Sequence, residues 1–207
     1  MATRASGVVL GAPAIAENAA IDLYWLPLGA GGHSVRFNGR VYECSAALAG
    51  RRRACALYHS ALEVRIATAR FVVEMTPVRD ARGEQRGVVA EGPVGSNWAG
   101  RFRIFRYEIR RWCDGEIPDL DEAVGGPRRL TGERVQAQRV LDLVPQVPTP
   151  VWGRDELKTG EMWNSNSVTA WLIASSGIDT EPIQPPAAGR APGWQAGLVL
   201  ARRQERR

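Results

Sequence analysis

Polar and apolar residues alternate over two neighbouring stretches of this chain. Leu62, Val64 and Ile66 share one side of the first stretch, with His59, Ala61, Glu63 and Arg65 on the other. Phe71, Val73 and Met75 share one side of the second, opposite Val72, Glu74 and Thr76. A period of two is the mark of a half-buried strand, and Ala67-Thr68 between the stretches is short enough for a hairpin. Setting Ile66 opposite Ala69 brings Leu62 against Val73 and Val64 against Phe71, so the apolar faces match. A one-residue slip would turn every side chain over, so this register is the expected one. It places Thr76 opposite His59, and Glu74 opposite Ala61 and diagonal to His59.

The flanking pattern predicts further elements. Residues 21–28 read as a first strand closed by glycines, Ser34 to Phe37 as a short second strand ended by Asn38-Gly39, and Val41 to Ala54 as a helix ending on three arginines. Asp80 to Gln85 reads as a polar turn, Gly87 to Ala90 as a strand, and Glu91 to Gly100 as a glycine-rich loop. Arg101 to Trp112 alternates, with a phase slip at Ile104-Phe105 that predicts a bulge. Glu116 to Gly126 is loop-like, and Thr131-Gly132-Glu133-Arg134 opens a helix reaching about Leu143. Pro145, Pro148 and Pro150 force an extended connector. A helix follows that begins at Asn164-Ser165-Asn166-Ser167 and ends at Ser176-Gly177. Ala196 to Ala201 forms a short last element. The expected organisation is a leader over 1–20, one α+β domain over 21–201 with an antiparallel sheet between Asp22 and Trp112 and helices packed on it, and a fraying charged tail over 202–207.

Composition narrows the classes. Of 207 residues, 44% are hydrophobic and 24% charged, a globular balance with enough apolar matter for a core without metal or disulfide staples. The net charge of +5 would favour an anionic partner, but Lys158 is the only lysine and the arginines are dispersed, so nucleic acid is not the expected partner. The mixed basic and aromatic run Arg101-Phe102-Arg103-Ile104-Phe105-Arg106-Tyr107 lacks the glycine-aromatic pattern of RNA-binding strands and reads as a half-buried strand with wet arginines. Three scattered cysteines and two histidines give no zinc spacing and no disulfide framework. No cofactor or metal is expected. No run is long enough to span a membrane, and the short, Gly- and Pro-broken apolar stretch near the N-terminus reads as a flexible leader, so a cytoplasmic location is expected.

Candidate chemistry gathers at two places. Ser165 and Ser167 stand where a helix start offers free backbone N–H groups and the positive end of a dipole. Either they cap the helix, or Ser165 is a nucleophile activated by a base. His59 opens the first alternating strand, with Glu74 placed to orient it or to sit solvated on a wet face. His33, in a glycine-rich loop, is the alternative base.

The order of Tyr58-His59-Ser60-Ala61-Leu62-Glu63-Val64 and then, much later, Asn164-Ser165-Asn166-Ser167-Val168 resembles the circularly permuted papain-like group. This is the branch of the NlpC/P60 superfamily that includes the deubiquitinase-like PPPDE peptidases and the lecithin:retinol acyltransferase-like enzymes. There a histidine opens a strand, and an Asn-Cys-Asn segment carries the nucleophile at a helix start. Ser165 stands in the cysteine's place. The resemblance implies a permuted papain-like fold and a hydrolase or acyl/amide transferase for a small-molecule or peptide substrate. Ser165 would be the nucleophile, His59 the base and Glu74 the orienting group. Backbone N–H groups near Asn166 would form the oxyanion site, with Trp163, Asn164 and Ser167 in support. Whether a serine there is active is left open. The alternative is an inactive papain-like binding protein for an acidic small molecule, a protein or nucleic acid.

Overall fold

The computed structural model describes residues 19–28, 55–78, 86–186 and 189–206. Six strands form one antiparallel sheet: β1 (Ala19–Pro27), β2 (Tyr58–Ile66), β3 (Ala69–Pro77), β4 (Val88–Pro93), β5 (Arg106–Cys113) and β6 (Arg128–Thr131). Their order across the sheet is β4-β5-β3-β2-β1-β6. Among the described residues three helices follow: α1 (Arg134–Leu143), α2 (Ser165–Ser175) and α3 (Trp194–Glu205). The class is α+β. The expected strand over 34–37, the helix over 41–54, the turn over 80–85, His33 and most of the leader lie outside the described residues.

The β2–β3 register is the one the apolar pattern dictates, with Leu62 on Val73, Val64 on Phe71 and Ile66 on Ala69. The apolar side of the sheet carries Ile21, Leu23 and Trp25 of β1, Leu62 and Val64 of β2, Val73 and Met75 of β3, and Tyr107 and Ile109 of β5. These pack against Val140 of α1, and against Val168, Trp171 and Leu172 of α2, to form the main core. A smaller cluster of Tyr24, Leu26, Ala61, Val72 and Ile117 lies on the opposite side. The sheet therefore has two partly covered faces, one helical and one closed by the loop that follows β5.

Several expectations need correction. β1 starts at Ala19, two residues earlier than the pattern indicates, because Ala19 and Ala20 continue the ladder with Ile66 and Arg65. β4 extends through Pro93 into the expected loop. Gly92 is required there because a Cβ would lie 2.3 Å from the Tyr107 ring. Arg101 to Phe105 is not strand. Two 3-10 turns, Ala99–Arg101 and Arg103–Phe105, precede β5, so the phase slip at Ile104-Phe105 marks a change of structure and not a bulge. β6, absent from the expected sheet, pairs with β1, where Arg129 of β6 faces acidic Asp22. The tail does not fray at 202. α3 runs to Glu205, held by Arg203 donating to Leu157 O and Lys158 O at 2.8 and 2.9 Å, and by Gln204 accepting from the Trp171 indole at 2.7 Å.

The sheet splits at one end. β2 and β3 are paired from Ile66–Ala69 only as far as Leu62–Val73. Beyond that point β2 keeps β1 on one side to Tyr58, while its other edge meets new partners. The Tyr58 N–H donates to Arg190 O at 2.8 Å, and the Tyr58 carbonyl accepts from the Asn166 side chain at 2.9 Å. The first turn of α2 thus occupies the place that a β3 residue would fill in an unbroken ladder.

Candidate functional site

The α2 N-terminus is built from polar residues that satisfy backbone groups which an ordinary helix start leaves free. Asn164, extended at φ −162°, is the N-cap, and its Oδ1 accepts from the N–H groups of Asn166 and Ser167 at 2.9 and 3.3 Å. Ser167 completes a capping box by accepting from the Asn164 N–H at 3.0 Å, and it donates to Gly193 O at 2.8 Å. Asn166 is 2% exposed. Its amide donates to Tyr58 O and Pro192 O, both at 2.9 Å, and accepts from the Ser60 hydroxyl at 2.9 Å. One buried amide therefore ties α2 to β2 and to the turn that starts α3.

The two segments that carry the papain-like resemblance are in direct contact, but through Ser60 and Asn166. Strand alternation puts Ser60 with Tyr58 and Leu62, toward α2. His59 lies with Ala61 and Glu63, toward the opposite side of the sheet. The structure makes no hydrogen bond between His59 and Ser165, and the Ser165 hydroxyl bonds to no described residue. The Asn166 and Ser167 N–H groups expected to form an oxyanion site are already taken by Asn164. The physical reason is local: an asparagine one residue before Ser165 captures those N–H groups before a substrate oxygen could. Trp163 is a core residue, 2% exposed, and its indole nitrogen has no hydrogen-bond partner among the described residues.

Glu74 does not orient His59. It lies across from Arg110 on β5 and accepts from that guanidinium at 3.1 Å, while Arg110 also holds Glu108. All three are buried. His59 responds instead to its surroundings: burial lowers its imidazole to about 4, and the charge of Asp119 works against that shift. The ring is neutral at physiological pH. A second charged network crosses β1, β2 and β6. Burial alone would raise the Asp22 carboxyl, but hydrogen bonds from Arg129 and Arg65 outweigh it and hold the group below its ordinary value. Glu63 joins through Arg65 at 3.4 Å and Arg70 at 3.1 Å.

Glu63, Arg70 and Arg110 of these networks line a cavity of about 710 Å³ on the face away from the helices. Thr76, Arg110 and Trp112 line it from the sheet, and Glu116, Ile117 and Asp119 from the loop after β5. Asp119 sits in the left-handed region at φ 59°, ψ 30°, a conformation that costs a non-glycine residue energy and that concentrates at working sites. The guanidinium of Arg86 lies 6.0 Å from the Trp112 ring centroid. Asp22, Glu63, Glu74 and Glu108 balance Arg65, Arg70, Arg110 and Arg129 in the two networks. Of the remaining lining charges, Arg86 offsets one of the three carboxylates of Glu116, Asp119 and Asp121. Among the described residues the lining thus carries a small excess of negative charge in a basic chain.

Glu108, Arg110, Trp112 and Asp119 escape a reading of the sequence that looks for nucleophiles. A signal for three of them was present, since Glu108, Arg110 and Trp112 alternate on one face of β5. Among the described residues no group of side chains could hold a metal ion, and no helix is long and apolar enough to cross a membrane. No protein-family model matches the chain, and no match was found among curated proteins or solved structures.

Proposed function

We propose that this chain is a permuted papain-like domain that works by binding, with the helix–strand junction used for architecture and the ligand taken by the cavity on the opposite face. The observation that carries this reading is the occupation of the Asn166 and Ser167 N–H groups by Asn164, beside a Ser165 hydroxyl with no partner among the described residues. A serine is a weak nucleophile, and with no base in contact among the described residues and the Asn166 and Ser167 donors taken, it lacks activation and those two sources of charge stabilisation. The direct contact between the Tyr58–Ser60 and Asn164–Ser167 segments supports the papain-like ancestry.

The cavity's charge selects the ligand class. Three loop carboxylates and an indole favour a positively charged group, such as an amine or guanidinium on a small molecule or peptide. The rival reading, a Ser-His hydrolase, draws support from the neutral His59 alone.

Two measurements on the full chain separate the readings. Agmatine, titrated against tryptophan fluorescence, is expected to bind with an affinity that falls in Asp119→Asn by about tenfold, the loss of one charge-assisted contact. A fluorophosphonate probe is expected to leave Ser165 unlabelled. Covalent labelling of Ser165 that disappears in His59→Ala would restore the hydrolase.

A further inference from the structure

The 3-10 turns before β5 expose apolar side chains that a soluble surface normally hides. Trp98 is 66% exposed, Phe102 52%, Ile104 79% and Phe105 45%. They lie within one short segment, and Trp98 and Phe102 touch edge to face with centroids 5.7 Å apart. Clustered exposure of this kind marks an interaction surface, whereas scattered apolar residues do not. The same segment is basic: Asn97 to Tyr107 contains Arg101, Arg103 and Arg106 and no acidic residue. Arg106 reaches back to Gly100 O at 2.8 Å and to Glu91 at 2.9 Å, which pins the base of the turns to β4 and leaves their tip projecting apolar groups.

We propose that this tip docks peripherally on an anionic lipid surface, with Trp98, Phe102, Ile104 and Phe105 entering the interfacial layer and Arg101 and Arg103 facing the headgroups. Interfacial segments combine aromatic and aliphatic residues with cations in this way. Basic side chains are drawn to the negative surface potential of an anionic leaflet. A stacking platform for single-stranded nucleic acid fits less well. Its most exposed member, Ile104, has no π-face, and the one aromatic pair is edge to face, so it does not present two parallel faces to bases. The segment lies apart from the cavity, so this docking is independent of ligand binding.

Co-sedimentation of the full chain with phosphatidylcholine vesicles, and with vesicles containing about a third phosphatidylglycerol, tests the assignment. Binding is expected to the anionic vesicles, to weaken with added salt, and to fall about tenfold or more in the Ile104→Ser/Phe105→Ser double variant. Arg101→Gln/Arg103→Gln is expected to weaken it as well. Urea unfolding midpoints should be unchanged in the first pair, because the side chains are exposed, so loss of binding there is not loss of fold. Failure to bind anionic vesicles, or equal binding by wild type and the Ile104/Phe105 variant, would overturn the proposal. So would variants that lose poly(U) binding or self-association while vesicle binding persists.

Discussion

Replacing Asn166 with alanine should damage this protein far more than replacing Ser165, although Ser165 is the residue in the nucleophile's place. Asn166 makes three hydrogen bonds of 2.9 Å, to Tyr58 O, to Pro192 O and from Ser60 Oγ. Pro192 O keeps a second donor in Asn164 at 2.8 Å, so it is not stranded. The Tyr58 carbonyl and the Ser60 hydroxyl are stranded, in residues 8% and 1% exposed. Each buried group left without a partner costs about 1–3 kcal/mol. Asn166→Ala should therefore cost about 2–5 kcal/mol, a large part of a typical stability of roughly 5–15 kcal/mol. With a urea m-value of about 2 kcal/mol/M, the midpoint should fall by about 1–2 M at unchanged m. Ser165→Ala removes a hydroxyl with no partner among the described residues and should stay within about 0.5 kcal/mol. A double-mutant cycle between Ser60→Ala and Asn166→Ala should show coupling of about 1 kcal/mol or more. Equal midpoints for Asn166→Ala and Ser165→Ala would refute the view that this junction is architectural.

Further outcomes follow from other parts of the structure. Because burial holds the folded His59 near 4, below its unfolded value of 6.5, the unfolded state binds more protons between those pH values. Stability should be full above about pH 6.5 and fall by up to about 3 kcal/mol as pH drops toward 4, and His59→Gln should flatten that limb of a urea-midpoint pH profile. The Asp22 contribution, from a carboxyl held below its ordinary value, should be lost only at still lower pH. Arg110→Met leaves Glu74 and Glu108 buried without their shared cation and should cost about 3–5 kcal/mol by chemical denaturation. Gly197→Ala should destabilise by about 1–3 kcal/mol, because its Cβ would lie 2.2 Å from Ser167 O and 2.8 Å from Trp171 N, forcing α3 off α2. A thermal melt unchanged by that substitution would show that the two helices pack less tightly than described.

The sequence was most legible where one physical pattern acts alone. The alternation of Leu62, Val64, Phe71 and Val73 set the hairpin register, because burial of one face leaves no second solution. The extent of α1 and the glycine stop of α2 at Gly177 were equally local. β6 stayed hidden because four residues carry little periodicity and its pairing is fastened by Arg129 meeting Asp22, far away in sequence. The site was harder still. Asn164-Ser165-Asn166-Ser167 reads equally as cap or catalyst, and which it is depends on Ser60, Tyr58 and Gly193, which the sequence does not place beside it. Glu74 was visible as a carboxylate near His59, but its partner Arg110 arrives only when β5 pairs with β3.

The split between β2 and β3 also bears on how the chain folds. The hairpin closes through contacts a few residues apart and needs only local search. The opening at its end is sealed by groups 106 and 108 residues downstream, where Asn166 meets Ser60 and Tyr58. Until that long loop closes, β2 presents an unpaired edge beside a finished hairpin, which is a template for pairing with another chain. Asn166 therefore acts as a late clasp, and variants that weaken it should raise the risk of aggregation during refolding as well as lower the stability of the native state.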